Sequence, residues 1–595
     1  MKLSDYVAKE ISNHTDHIFM VTGGGAMNLN DSFNNNKNIN VVCCHNEQAC
    51  SMAAEGYSRV SGKIGAVNVT TGPGGINALN GVFGAWVDSI PMIIISGQVK
   101  RETMMDFHNL NGKLRQLGDQ EADIISMVKG ITKYSKVIMD PKTIKYEIQK
   151  AIHLAQNGRP GPCWIDIPGD VQGANVDINK LLGYKNQEKK LNISENYILK
   201  ILTKLVNSKR PVIYAGSGIW HSKSHEKFIQ LINMLKIPVV TAWNSNDLLW
   251  NDHDCYAGRP GSVGDRTGNF TVQNSDCLMV LGCRLNIRLI SYTWNQFAPD
   301  AYKIGIDIDE NELNKPTLKY DEKVVLDLKD FFEIALKVLK EQNLKFSNNS
   351  NWKEQTKKWL NKYPVVLKEY WNITSFVNPY CFIDNLFENL KEDNIIVTSD
   401  GTACVTAFQA GIVKKGQRLF HNSGCASMGF ELPAAIGAHY GSKNKKIICI
   451  AGDGSIMMNL QELQTISGNK LGMKIFLLNN EGYHSIRQTQ NSYFNGRLVG
   501  CGEESGLYFP KFSKIASAFG FDYKKISNHL EMSSVINEVL DSNEPTICEV
   551  FLDKSQEFSP KLSSKKLDDG TFVTPFLDDM APFLSRDEYN SNKLK

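Results

Sequence analysis

Residues 447–455, Ile-Ile-Cys-Ile-Ala-Gly-Asp-Gly-Ser, form an apolar run that breaks off at Gly452-Asp453-Gly454. Such a run reads as a buried strand, and the residues after it start a helix. The next apolar run, Lys474–Leu478, ends in Asn479-Asn480-Glu481-Gly482-Tyr483. Strands alternating with helices build a parallel α/β sheet, and both loops then lie on the rim where such sheets bind ligands. The glycines admit a close backbone approach. The helix start offers free N–H groups to an anion. Asp453 supplies one hard oxygen, Asn480 a second and the Gly482 carbonyl a third. Mg²⁺ prefers such oxygens and shares its octahedron with substrate phosphates. The pattern reads as a diphosphate–metal site. Gly-Asp-Gly alone is only a tight turn; the 24 residues between Gly454 and Asn479, and the Asn-Asn strand end, make it specific.

The same alternation runs along the chain. Strands are expected at Ile18–Thr22, Ile39–Cys44, Ala66–Thr70, Pro91–Ser96 and within Gly161–Pro168, with glycines where strands end and an Ala-rich helical stretch over Glu47–Val60. These define a first domain, 1–175. A polar linker is expected over 175–195. A central domain, 190–340, has its α/β block opening on a strand within Arg210–Gly216 and carries further strands at Ile237–Thr241, Cys277–Leu281 and Lys303–Ile308. A third, 375–555, carries strands at Ile395–Thr398, Ile447–Ile450, Lys474–Leu478 and Thr546–Phe551. A tail occupies 556–595. The fold class is α/β: three doubly wound domains with mainly parallel sheets, the first and third similar in architecture.

Composition narrows the function. Of the 595 residues, 42% are hydrophobic and 22% charged, which excludes a mainly disordered, collagenous or coiled-coil chain. A net charge of +3 gives no overall basic field for nucleic acid. No apolar run is long enough to span a membrane, and the N-terminus lacks a signal-peptide core. Thirteen scattered cysteines without CxxC spacing suit a reducing cytoplasm. Cys43 and Cys44 read as core thiols of a buried strand.

Further motifs accompany the diphosphate–metal pattern. They are Cys44-His45-Asn46-Glu47-Gln48, Ala53-Ala54-Glu55-Gly56-Tyr57-Ser58-Arg59, Thr71-Gly72-Pro73-Gly74-Gly75-Ile76-Asn77 and Met428-Gly429-Phe430-Glu431-Leu432-Pro433-Ala434-Ala435-Ile436-Gly437-Ala438. Together they resemble the acetohydroxyacid synthase branch of thiamine-diphosphate enzymes. The resemblance implies pyrimidine-binding, central and diphosphate-binding domains. It implies thiamine diphosphate and Mg²⁺ as cofactors, and a homodimer or homotetramer with each active site between two chains. Glu47 matches the catalytic glutamate that hydrogen-bonds the pyrimidine N1′ and thereby promotes loss of the thiazolium C2 proton. Met428 matches the apolar residue that holds the cofactor bent; the alternative is a plain core methionine. Gly401, Thr402 and Ala403 are expected against the diphosphate, although this segment departs from the family's usual sequence. Ala426, Asp453, Gly454, Ser455, Asn480, Gly482 and Tyr483 complete the expected cofactor-binding set.

Departures speak to the reaction. Simple 2-keto acid decarboxylases resemble this chain but carry adjacent histidines in the first domain and a glutamate soon after Gly-Tyr in the third. Such proton donors are worth about 10²–10⁴-fold. Here the regions read Asp106-Phe107-His108-Asn109 and Gly482-Tyr483-His484-Ser485-Ile486. Carboligation is therefore favoured over aldehyde release. Asp119-Gln120-Glu121, with Lys133 further on, resembles the family's Phe-Gln-Glu and following Lys. Gln120 becomes a candidate catalytic residue and Lys133 a substrate contact. Thr489 stands where the family carries a tryptophan against the second keto acid, which should enlarge or repolarise the acceptor pocket. His484 and Arg487 are candidate acceptor contacts, Arg487 through a bidentate carboxylate or phosphate bond. Salt bridges on the surface or between domains are the bland alternative for both.

The central domain resembles the flavin-binding domain of the same synthases, with Gly216, Gly218, Arg284 and Asp307 as candidate FAD contacts. The family's Asp-Asp is replaced by Asn286-Ile287, which leaves ADP or an empty domain as alternatives. The tail, including Ser563–Gly570 and Ser585–Lys595, suits either a mobile arm over an active site or a disordered end.

The expected activity is decarboxylation of a 2-keto acid, pyruvate foremost, with transfer of the two-carbon unit to a carbonyl acceptor. Pyruvate as acceptor gives acetolactate. The alternative acceptor is a keto-deoxysugar nucleotide. A non-catalytic cofactor-binding subunit is the reading of another class, opposed by the presence of Glu47, Asp453 and Asn480.

Overall fold

The computed structural model describes residues 1–186, 193–346, 351–443, 445–566, 569 and 571–594. Part of the expected linker (187–192) and of the expected arm (567, 568 and 570) lies outside the described residues. Three parallel sheets carry the chain. The first joins β1 (His17–Met20), β2 (Asn40–Cys43), β3 (Gly65–Val69), β4 (Met92–Gln98), β5 (Tyr134–Val137) and β6 (Pro162–Pro168) in the order β2-β1-β3-β4-β6-β5. The second joins β7 (Pro211–Ala215), β8 (Val239–Thr241), β9 (Cys277–Leu281), β10 (Tyr302–Asp307) and β11 (Glu322–Val325) in the order β11-β10-β9-β7-β8. The third joins β12 (Ile395–Thr398), β13 (Arg418–Phe420), β14 (Ile447–Gly452), β15 (Lys474–Asn479), β16 (Asp522–Ile526) and β17 (Thr546–Phe551) in the order β13-β12-β14-β15-β17-β16. Counted from each sheet's first strand, the first and third orders are identical, as the shared architecture predicted.

The strands missing from the sequence expectation are β5, β11, β13 and β16, and each lies at a sheet edge. Central strands are covered on both faces, so β3, β4, β6 and β9 are buried throughout and read as continuous apolar runs. Edge strands lack a neighbour on one side, and β5, β11 and β16 keep part of their length exposed. Asp522-Tyr-Lys-Lys-Ile has only Ile526 buried, so its periodicity is masked. Edge placement also corrects Cys43, which is exposed at the end of β2, whereas Cys44 is buried as expected.

The first and third domains meet through two small-residue helices, Glu47–Ser61 and Glu431–Gly441. The helices pack backbone against backbone. A Cβ on Gly56 would stand 2.1 Å from the Ala434 carbonyl oxygen, and one on Gly437 would stand 1.8 Å from that of Ala53. Gly437→Ala should therefore force the helices apart. Overpacking of this kind costs about 1–3 kcal/mol. A thermal melt should show a Tm several degrees lower, and an unchanged Tm would mean that the junction yields.

Residues 577–594 of the tail dock on the rest of the chain. Leu577 and Tyr589 join the core of the central domain. Asn269 Nδ2 donates to the Leu577 carbonyl (2.8 Å) and Trp359 Nε1 to Asn592 Oδ1 (2.8 Å). The stretch after Ser585, read as a polar end, forms a helix over Arg586–Ser591. No helix among the described residues is long and apolar enough to cross a membrane.

Candidate active site

In the third sheet the connections leave in opposite directions between β12 and β14, and a doubly wound sheet binds its ligand at such a point. β12 hands over through Gly401, at φ 71, to the helix Thr402–Ala410. β14 hands over to Asp453 and β15 to Asn480. Asp453 is 2% exposed. Its Oδ1 accepts the Gly454 N–H (2.7 Å), and its Oδ2 accepts those of Asn480 (3.1 Å) and Gly482 (2.9 Å). Asn480 Nδ2 donates to Thr402 Oγ1 (3.1 Å), and the Gly452 N–H donates to Ser399 Oγ (3.1 Å). One hydrogen-bonded unit therefore joins the three strand ends.

The unit fits a divalent cation with a diphosphate. Asn480 Oδ1 is buried with no hydrogen-bond partner, which leaves a hard oxygen free to ligate. Burial pushes the Asp453 carboxyl up to about 7, although three N–H groups and Arg487 pull it down. A bound cation would restore its anionic form. No Cβ would find room at Gly482: it would stand 1.9 Å from the Cys501 carbonyl oxygen, at φ 136. Gly482→Ala should distort this loop and weaken Mg²⁺-dependent cofactor binding by about 10–100-fold, the usual cost of disturbing a ligand's support. Titration calorimetry at several Mg²⁺ concentrations reads this directly.

The remaining expected cofactor contacts differ in what their side chains do. Ser455 Oγ donates to Glu431 Oε2 (2.9 Å) and accepts the Gly429 N–H (2.8 Å). Its hydroxyl thus anchors the loop carrying half-buried Met428. Ala426, on the same loop, is exposed at φ 60. The Tyr483 ring lies against Gly454, where a Cβ would stand 2.2 Å from the ring. Ala403 is fully buried in its helix. Ser399, which the sequence reading missed, is marked only by its place one residue after β12.

Glu47 lies in the first turn of its helix, behind Asn46, whose side chain caps the Gln48 N–H (2.8 Å). The Glu47 carboxylate is 9% exposed and accepts from Asn77 Nδ2 (3.1 Å). A Cβ on Gly74 would come 3.3 Å from its Oε1, and one on Gly72 would come 2.2 Å from the Gln120 carbonyl oxygen. The Gly72–Gly74 turn thus gathers Glu47 and Gln120, and Gln120 is exposed there at φ 63. Among the described residues, no hydrogen bond or ion pair joins Glu47 to the Asp453–Asn480 unit of its own chain.

The expected substrate contacts separate. Lys133 Nζ donates to the carbonyls of Leu154 and Asn157 (2.7 Å for the latter), at the C-terminal end of the helix Ile144–Gln156. A cation there complements the C-terminal end of the helix dipole. His484 is buried, with Nε2 against the Gln556 carbonyl (2.9 Å), and burial lowers its pKa. Arg487 folds back onto main-chain carbonyls. Thr489 is exposed and donates to the Ser485 carbonyl (3.0 Å), so no large side chain walls that position.

Of the FAD candidates, Gly218, Arg284 and Asp307 line one cavity beyond the C-terminal ends of the paired strands β7 and β9, where the connections leave in opposite directions. Gly216 serves packing instead: a Cβ there would meet the Gly282 carbonyl oxygen at 2.3 Å. Burial pushes Asp307 up to about 6. His221, whose buried Nε2 has no hydrogen-bond partner, shares the lining. Arg159 of the first domain pairs with Asp309 (2.9 Å) and Glu312 (2.8 Å).

Three family models cover these domains in order. They are the N-terminal TPP binding domain of thiamine pyrophosphate enzymes over residues 1–126, the central domain over 198–334, and the C-terminal TPP binding domain over 400–550. The chain belongs to the thiamine pyrophosphate enzyme family. Within that family it is similar over nearly its whole length to acetolactate synthase large subunits. The one from Lactococcus lactis subsp. lactis (strain IL1403) is 32% identical over 555 residues, 92% of this chain and 91% of that one. The one from Buchnera aphidicola subsp. Acyrthosiphon pisum (strain APS) is 31% identical, covering 88% of this chain and 89% of that one. A probable one from Methanococcus aeolicus is 30% identical, covering 91% and 90%.

Proposed function

We infer that the protein decarboxylates pyruvate and joins the two-carbon unit to a second pyruvate, giving acetolactate. The observation that carries this reading is the pairing of a buried Glu47 on one domain and the hydrogen-bonded Asp453–Asn480–Gly482 unit on another with a chain similar throughout to acetolactate synthase large subunits. When bound, thiamine diphosphate supplies the carbon nucleophile that makes decarboxylation of a 2-keto acid feasible. Glu47 holds a proton at the pyrimidine N1′. Asp453, Asn480 and the Gly482 carbonyl would hold Mg²⁺, which would supply the positive charge that a diphosphate needs there. Whole-length likeness to those subunits does not favour the sugar-nucleotide or non-catalytic alternatives. The test is pyruvate turnover with thiamine diphosphate and Mg²⁺, with products read by mass spectrometry, with and without a 4-keto-deoxysugar nucleotide. Acetolactate from pyruvate alone is expected. Product only after the sugar is added would overturn the reading.

The site is completed by a second copy of the chain. Ile76, beside Asn77, is 42% exposed and Phe83 43%; across the fold, Ile486, one residue from Ser485, is 47% exposed. Apolar groups bordering each half of the site mark surfaces that a partner covers. A two-fold pairing would bring Glu47 of one chain to the Asp453 unit of the other. Mixing Glu47→Gln with Asp453→Ala chains should then restore one wild-type site in each hybrid, about a quarter of normal activity for random dimers. No restoration would place each site within one chain. The cavity beyond the C-terminal ends of β7 and β9 would take FAD in a structural role, with the unpartnered His221 nitrogen as a polar contact. The visible spectrum of the purified protein tests it. Thirteen unpaired cysteines suit a reducing cytoplasm.

A further inference from the structure

Arg487 shows how the metal loop keeps its shape. Its side chain is 12% exposed, and the guanidinium spreads over one turn of main chain. Nη1 donates to the Asn480 carbonyl (3.1 Å), and Nη2 to the carbonyls of Glu481 (2.7 Å) and Cys501 (3.4 Å). Nε lies 3.5 Å from a Glu504 carboxylate oxygen. The Cys501 carbonyl also accepts the Tyr483 N–H (2.9 Å) and closes against Gly482. Both Nη2 hydrogens and one of Nη1's are thus directed at main-chain carbonyls, and Nε faces Glu504, so three of the five N–H donors are spent on the protein's own loop.

We propose that Arg487 is a positioning residue for the metal. It braces the carbonyls of Asn480 and Glu481 and ties them to Cys501, so that the Asn480–Gly482 loop presents Asn480 Oδ1 and the Gly482 carbonyl in a preset arrangement. The three braced carbonyls would otherwise repel one another and turn toward water. A planar cation that bonds several of them offsets that repulsion, and a lysine, with its point charge, does so less well. The same brace links the metal loop to residues 501–504, so a shift of that segment would be transmitted to the ligands. The inference rests on the metal site proposed above.

The test separates bracing from substrate binding. Wild type, Arg487→Met, Arg487→Lys and Asp453→Ala are titrated with Mg²⁺ and thiamine diphosphate, binding is followed by calorimetry, and KM for pyruvate is measured at saturating cofactor. Arg487→Met should raise the half-saturating Mg²⁺ concentration by about 10–100-fold, the usual loss when a ligand's supporting partner is removed. KM for pyruvate should stay within about twofold, and Arg487→Lys should fall between. A raised KM with an unchanged Mg²⁺ requirement would overturn the proposal in favour of a substrate contact. No change in either quantity would overturn it outright. If Arg487→Met is not recovered folded, Arg487→Gln is read by the same criteria. Should Asp453→Ala also leave the Mg²⁺ requirement unchanged, the metal assignment itself fails, which is a separate result.

Discussion

Replacing Glu47 by Gln should lower kcat by about 10²–10⁴-fold while leaving the fold and cofactor affinity close to wild type. The two side chains have nearly the same shape. The amide can still accept from Asn77 Nδ2, the hydrogen bond that orients the carboxylate at 3.1 Å. The amide cannot exchange a proton with the pyrimidine N1′, and that exchange is the step assigned to Glu47. The buried setting, 9% exposed at the head of a capped helix, also excludes a bulk-water substitute for the missing acid. Steady-state kinetics and calorimetric binding of Mg²⁺ with thiamine diphosphate read the two quantities separately. Near-normal turnover would remove Glu47 from the chemistry. Lost binding together with lost turnover would make it a structural residue.

Asp453→Ala should have the larger effect on binding. The substitution removes a metal oxygen and the acceptor for the N–H groups of Gly454, Asn480 and Gly482. Each orphaned donor costs about 1–3 kcal/mol if it stays buried, so the loop should open to find water. Losing a supporting partner alone weakens a metal site by about 10–100-fold, and losing the ligand should weaken it at least that much. The clearest reading is thermal unfolding. In wild type, Mg²⁺ with thiamine diphosphate should raise Tm, because a ligand that binds only the folded state stabilises it. In the variant that rise should vanish. Affinities that are equal with and without Mg²⁺ in both proteins would sink the metal assignment.

The fold was legible where burial is symmetric. β3, β4, β6, β9, β14 and β15 are apolar runs because helices cover both faces of each sheet, and each was found within a residue or two. β5, β11, β13 and β16 escaped because one edge of each faces solvent or a connecting loop, and their mixed sequences carry no clean period. The docked tail escaped for a related reason. The main-chain carbonyls of Leu577 and Met580 accept from central-domain side chains, Asn269 and Arg266, and such partners leave no local pattern.

The sequence by itself determined the chemistry of the site. Gly452-Asp453-Gly454, Asn479-Asn480 and Glu47 behind Asn46 are local combinations of turn, cap and ligand types, and local geometry is set by adjacent residues. Tertiary structure decided which long polar side chains serve that chemistry. Arg487 reads as an acceptor contact or a salt-bridge partner and is bonded to the Asn480, Glu481 and Cys501 carbonyls; Lys133 reads as a substrate contact and its Nζ bonds carbonyls at a helix end. Their partners lie 6 to 24 residues away in sequence for Arg487 and Lys133, and 308 or more for the contacts that bind the tail to Asn269 and Arg266. A flexible donor bonds whichever buried carbonyl the packing brings within reach, because leaving that carbonyl unpaired costs more than ordering the side chain.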